Sequence, residues 1–221
     1  MRVTKIEAQR NSPGRKNIFA DDRFLAGVSD ETLIRFGLRT GDTIDAGVVK
    51  ALQEAEELLS ARNTALRFLS YRPRTEQEVR DKLREKEFGD AEIAKTLQEL
   101  AASGLIDDGG FARMYIRNAL AVRPSGRILL IRKLLALGVT RPIIDEAIAE
   151  TMSEDVQRET ALKTAEQFLR KARSQETSTD PRKLRQKLAS LLLRRGYPWN
   201  TVDAVLRAAL TIPGQNDEIH E

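Results

Sequence analysis

One apolar pattern appears three times in this chain, and that repetition limits the possible fold more than any other feature. EVRDKLREKEFGDAEIAKTL (78–97) and ILLIRKLLALGVTRPIIDEAI (128–148) superpose without gaps. Val79, Leu83, Phe88, Ile93 and Leu97 recur as Leu130, Leu134, Val139, Ile144 and Ile148, each 51 residues on. A further shift of 58 lands on Leu188, Leu192, Tyr197, Val202 and Leu206. Each copy reads as a helix, a tight turn holding one apolar residue, and a second helix. Another helical stretch precedes each pair: one ending near Tyr71, then Phe111–Val122, then roughly Asp155–Arg173. A three-helix unit of this size buries little by itself, so the units are expected to stack and share a core. An irregular bundle with chance similarity would not place five apolar residues in the same frame three times.

The polar residues at the turns agree with these boundaries. Thr75 and Glu78 have the spacing of a capping box for the first leading helix. Asp90, Thr140 and Asn200 are the N-cap candidates of the three trailing helices. Gly138 and Gly196 sit where a helix end needs a left-handed residue. Pro181, after Thr179-Asp180, stands near a helix start, where its missing N–H costs nothing.

The first 45 residues are of another kind. VTKIEAQ (3–9) and NIFADD (17–22) are short β-like runs around the turn-forming NSPGRKN, and RFLAGVS (23–29) is a candidate third strand. Ser29 opens a short helix through Phe36 that Gly37 stops, and Asp45 is the N-cap of a long helix ended by Pro73. The expected fold is therefore mainly α: tandem three-helix repeats forming an elongated curved stack, with a small N-terminal β-hairpin-containing module. The expected divisions are a β-rich module over 1–45, helical repeats over 46–106, 107–152 and 153–212, and a mobile tail over 213–221.

Composition narrows the function. The chain of 221 residues has no Cys, which excludes disulfides and thiolate chemistry. No apolar run approaches the roughly 20 residues of a membrane span, and the first residues lack a signal-peptide core, so a cytoplasmic protein without a membrane partner is expected. Residues 1–63 balance 10 basic against 10 acidic side chains, whereas residues 158–213 carry 12 basic and 5 acidic, a surplus of 7. That asymmetry points to a polyanion or an acidic protein surface as partner, with a solvated helix face as the plainer reading.

Asp107-Asp108, beside Gly109-Gly110, is the one sequence feature that resembles a chemical site. It falls between two helices, so a carboxylate there can cap the free N–H groups of the next helix; no further oxygen ligands lie at metal-binding spacing. The only histidine, His220, lies in the tail, and no metal, phosphate-loop or nucleophile motif occurs. Neither a cofactor nor an enzyme is expected. The carboxylate pairs Glu56-Glu57 and Asp145-Glu146 read as solvated helix faces.

Basic residues on helices remain as the candidate partner-binding surface. Arg72 and Arg74 lie in the turn before the first repeat pair. Arg113 and Arg117 stand four apart, opposite the Phe111/Tyr115/Ala119 stripe, and Arg127, Arg132 and Lys133 follow. In the third repeat Arg182, Lys183, Arg185 and Lys187 crowd one helix that ends with Arg194 and Arg195.

These residues also resemble a known family, the RecX regulators of the RecA recombinase. YRPRTEQEVRDKLREKEF (71–88) resembles the motif of that family's first repeat, LIDDGGFARMYI (105–116) the opening of its second, and GRILLIRKLLALGV (126–139) the basic helix that follows. The resemblance covers about residues 60–210. It departs at Pro124-Ser125-Gly126, where the family often has an aromatic–glycine pair. It implies tandem three-helix repeats that bind in the groove of the RecA filament on single-stranded DNA. It further implies restraint of ATP hydrolysis and strand exchange without a catalytic site, by a protein acting as a monomer. The basic residues above are then the expected contacts to filament or directly to DNA. A stand-alone helical DNA- or RNA-binding module is the second function class, and a nucleic-acid-processing enzyme the third.

Overall fold

In a computed structural model of the chain, residues 1–10, 12–174 and 180–210 are described. The expected tail over 213–221, with His220, and Thr179 lie outside them. By their contacts the residues form two compact units, one of Met1–Pro73 with Val79–Ile106, the other of Arg74–Glu78 with the chain from Asp107 onward.

The first unit begins with a three-stranded antiparallel meander, β1 (Val3–Ala8), β2 (Arg15–Ala20) and β3 (Arg23–Ser29), in that order across the sheet. The second strand starts two residues earlier than the sequence suggested and stops at Ala20. Asp21 and Asp22 leave it because both take positive φ, 48° and 59°, and close a two-residue hairpin that matches the sheet twist. Alternation puts Val3, Ile18 and Val28 on one face, where they form a core with Ile44 and Leu52. Helix α1 (Asp30–Phe36) is capped by Ser29 and stopped by Gly37 at φ 63°. Helix α2 (Ala46–Leu69) starts where the Asp45 carboxylate accepts from the Val48 N–H at 2.8 Å. It ends two residues before Tyr71, which leaves room for the extended backbone that Pro73 favours in the residue before it.

Helices α3 (Glu76–Glu85) and α4 (Asp90–Ala102) supply the first repeat pair. Val79 and Leu83 of α3 join Ala61 and Ala65 of α2 and Ile93, Leu97 and Leu100 of α4 in one core. The second unit holds the other two repeats: α5 (Asp108–Val122), α6 (Arg127–Ala136) and α7 (Arg141–Thr151), then α8 (Glu154–Ser174), α9 (Pro181–Arg194) and α10 (Trp199–Leu210). Their cores are built around Leu130, Leu134, Val139, Ile144 and Ile148, and around Leu188, Leu192, Tyr197, Val202 and Leu206. All five repeated positions are therefore core positions in both.

The capping box is present, with Thr75 N–H on Glu78 Oε2 at 3.2 Å and Glu78 N–H on Thr75 Oγ1 at 3.1 Å. Gly138 and Gly196 take φ of 84° and 82°, and Glu87 occupies the same frame position in the first repeat at φ 62°. Two N-cap expectations need correction. Asp90 is the first residue of α4, because Gly89 is extended and its carbonyl accepts from Ile93 N–H. Asn200 is the second residue of α10, whose start is set by the Pro198 carbonyl accepting from Val202 N–H. Thr140 caps α7 by backbone position alone, without a side-chain bond.

Candidate partner-binding surface

Asp107 and Asp108 cap two different helices. Asp107 Oδ1 accepts from Gly110 N–H at 2.9 Å and caps α5. Asp108 Oδ1 accepts from Glu76 N–H at 2.9 Å, at the first residue of α3. Burial pushes the Asp108 carboxyl up from its ordinary range, and the charges of Glu76, Asp107 and Glu78 add to the rise; the Glu76 N–H opposes it. Among the described residues no group of three or more acidic, His or Cys side chains could hold a metal ion.

Glu56 corrects the reading of Glu56-Glu57 as a solvated face. Its side chain is 13% exposed. It accepts from the Ser29 N–H at 2.9 Å and from the Ser29 and Thr32 hydroxyls at 3.0 and 2.8 Å, with Arg15 Nη1 at 2.7 Å. Burial alone would raise its pKa, but these donors and the Arg15 charge together hold the carboxyl below its ordinary range.

The candidate cations divide by what they touch. Arg74 is 17% exposed and pairs with Glu78 at 3.3 Å. Arg195 donates to the Pro124 carbonyl at 3.1 Å. Arg113 pairs with Glu150 at 3.5 Å, so its head is not simply turned outward. These three help to hold their own unit together. Arg185 lies 3.9 Å from Asp203, a carboxylate that Arg207 also engages. Arg72, in the first unit, is exposed and donates to the Pro73 carbonyl at 2.9 Å.

Arg117, Arg127, Arg132, Lys133, Arg182 and Arg194 are exposed, with no carboxylate partner among the described residues. Arg132 lies directly opposite the buried Leu130/Leu134 stripe of α6. Lys183 and Lys187 belong with Arg194: all three line a groove with Phe168, Gln186 and Ser190. Helical spacing carries the signal for them, because positions 183, 187, 190 and 194 fall within about 60° of arc.

In Pro124-Ser125-Gly126 the glycine is required by close backbone contact. Gly126 N–H donates to the Arg195 carbonyl at 2.8 Å, and Ile128 N–H to the Gly196 carbonyl at 3.0 Å. A Cβ on Gly126 would lie 2.3 Å from the Gly196 carbonyl oxygen, and one on Gly196 would lie 2.3 Å from Leu129 N. Two glycines are needed for backbones to meet that closely.

Comparison with known proteins agrees with the repeat frame. Residues 1–45 match a regulatory protein RecX N-terminal domain, and residues 61–100, 107–148 and 157–206 match the first, second and third three-helix domains of RecX. A regulatory protein RecX of Clostridium acetobutylicum is 30% identical over 93% of this chain and 94% of its own length. That of Bacillus velezensis is 33% identical over 92% of this chain and 76% of its own, and that of Bacillus subtilis 32% over 98% and 79%. A crystal structure of a regulatory protein RecX matches with a TM-score of 0.75 at 28% identity, covering 92% of this chain and 98% of that one. RecX from Lactobacillus salivarius matches with a TM-score of 0.64 at 25% identity, over 72% and 99%.

Proposed function

The chain belongs to the RecX family of regulatory proteins, and on that premise we propose that it regulates the RecA recombinase by binding the RecA filament on single-stranded DNA. In this reading it restrains the filament's ATPase and strand exchange, acts as a monomer in the cytoplasm, and has no catalytic chemistry of its own. The observation that carries the reading is the match of all three helical repeats and the N-terminal module, in order, to RecX domains. Arg117, Arg127, Arg132, Lys133, Arg182 and Arg194, which have no carboxylate partner among the described residues, support it as the side chains that meet filament or DNA, because long-range attraction to phosphate needs charge not already spent within the fold. We assign the functional divisions to residues 1–45, 46–106, 107–152 and 153–212.

The test is the ATPase rate of the cognate RecA on single-stranded DNA, titrated with this protein, with a mobility shift on bare DNA in parallel. Inhibition at a protein-to-RecA ratio well below one is expected. Tight, salt-sensitive binding to bare DNA without inhibition would favour the stand-alone nucleic-acid module, the reading suggested by the basic surplus over 158–213.

A further inference from the structure

The leading helices of the repeats are not equivalent at their N-terminal ends. In the common frame α6 (127–136) corresponds to residues 185–194, so α9 begins one full turn early, at Pro181. That turn changes what the helix can bind. Near the start of α6, the Ile128 N–H has no partner within its helix and donates to the Gly196 carbonyl of the following repeat. At the start of α3, the Thr75 hydroxyl donates to the Leu137 carbonyl, and a Cβ on Gly138 would lie 2.2 Å from Gln77 Cβ. Both are seats for the glycine turn of the next repeat. The frame equivalent in α9 is Gln186, whose N–H lies inside the helix and is used by the helix's own bonding. The N–H that receives the glycine-turn carbonyl in α6 is therefore not free at the matching place in α9.

In place of such a seat, α9 presents the groove lined by Phe168, Lys183, Gln186, Lys187, Ser190 and Arg194. Its three cations are exposed and have no carboxylate partner among the described residues. The residues at the same frame positions in the first repeat are Arg74, Glu78 and Glu85, so a mixed set there becomes wholly cationic here. From Lys183 to Arg194 the stripe runs about 16 Å along one face of α9, with a hydroxyl and an amide between the charges. We infer that the α8–α9 groove of the third repeat is a nucleic-acid site in which Lys183, Lys187 and Arg194 follow the phosphates of a strand and Gln186 and Ser190 donate to its oxygens. Cations set one and two turns apart along one helix face suit a regularly charged backbone better than the irregular carboxylates of a protein face. The inference rests on the proposed action at a DNA-bound filament, which brings a strand to this surface.

The experiment compares the full chain with its Lys183→Ala/Lys187→Ala/Arg194→Ala variant, titrated against a fluorescein-labelled oligothymidylate over a series of salt concentrations. Three lost phosphate contacts should reduce the log–log salt slope by about 2 and weaken binding at the lowest salt at least tenfold. Helical circular dichroism should not change, because all three side chains are exposed. Arg141→Ala, which removes a charge already paired with Asp145 at 2.8 Å, should behave as the parent. An unchanged slope and affinity in the triple variant, or a parent chain that does not bind the oligonucleotide, overturns the inference. So does a triple variant that loses binding to a polyglutamate peptide but keeps it for the oligonucleotide, since the groove would then read an acidic protein face. RecA ATPase inhibition by the parent is scored separately. Its absence would sink the proposed function and leave a positive oligonucleotide result standing.

Discussion

Asp108 and Glu56 are both partly hidden carboxylates that accept backbone N–H groups, and their surroundings move them in opposite directions. Asp108 is raised by burial and by three neighbouring acids, so its charged form is costly in the fold. Between its unfolded value and the raised folded one, the folded state binds more protons, and stability falls as pH climbs through that window. Asp108→Asn keeps an oxygen for the Glu76 N–H and removes the charge. It should be at least as stable as the parent at pH 7, whereas Asp108→Ala should lose about 1 kcal/mol with the cap. Urea unfolding followed by Trp199 fluorescence checks this, because the only tryptophan is in the same unit. Glu56 has the opposite sign: its lowered folded value means stabilisation that is present above the ordinary carboxylate range and lost as pH falls through that lowered value. Glu56→Gln should cost about 2 kcal/mol at neutral pH, with the difference from the parent vanishing in acid. Hydrogen exchange at Ser29 and Thr32 would report it locally.

Among the elements, the three turns after the leading helices offer a matched comparison. Gly138 and Gly196 hold positive φ with a backbone or side chain within 2.4 Å of where a Cβ would stand, while Glu87 holds positive φ in an exposed position. Glu87→Gly should therefore stabilise the first unit by about 1 kcal/mol by relieving left-handed strain. Gly138→Ala or Gly196→Ala should destabilise by more than that, because strain and collision add. Thermal melts of the three single variants decide it. The helices, the repeat frame and most caps were legible in the sequence because period and capping are local and each copy repeats them. The role of Asp108 was not, since the N–H that it caps is 32 residues away. Glu56 was misread for the same reason, its donors lying 24 to 41 residues before it. The candidate cations were visible as types, and Arg74 stands four residues from its partner Glu78, but the loss of Arg113 and Arg195 to internal partners follows only from the fold. Lys183 and Lys187 could have been grouped with Arg194 from their spacing alone.

For the whole molecule, function is expected to follow the charges left over after folding. Arg117→Ala, Arg132→Ala and Lys133→Ala together should raise the concentration needed for half-inhibition of the RecA ATPase several-fold and leave the helical signal intact. Adding Arg113→Ala should cost stability by no more than about 1 kcal/mol, because it breaks a partly exposed pair with Glu150. Unchanged inhibition by the triple variant would place the contact surface elsewhere. The added turn of α9 also bears on how such a chain can lengthen. The glycine turns of the second and third repeats dock at the starts of α3 and α6, through the Thr75 hydroxyl and the Ile128 N–H, and the matching place in α9 is Gln186, inside its helix. A further unit joined after α10 in the same frame would meet the body of a helix there instead of a helix start.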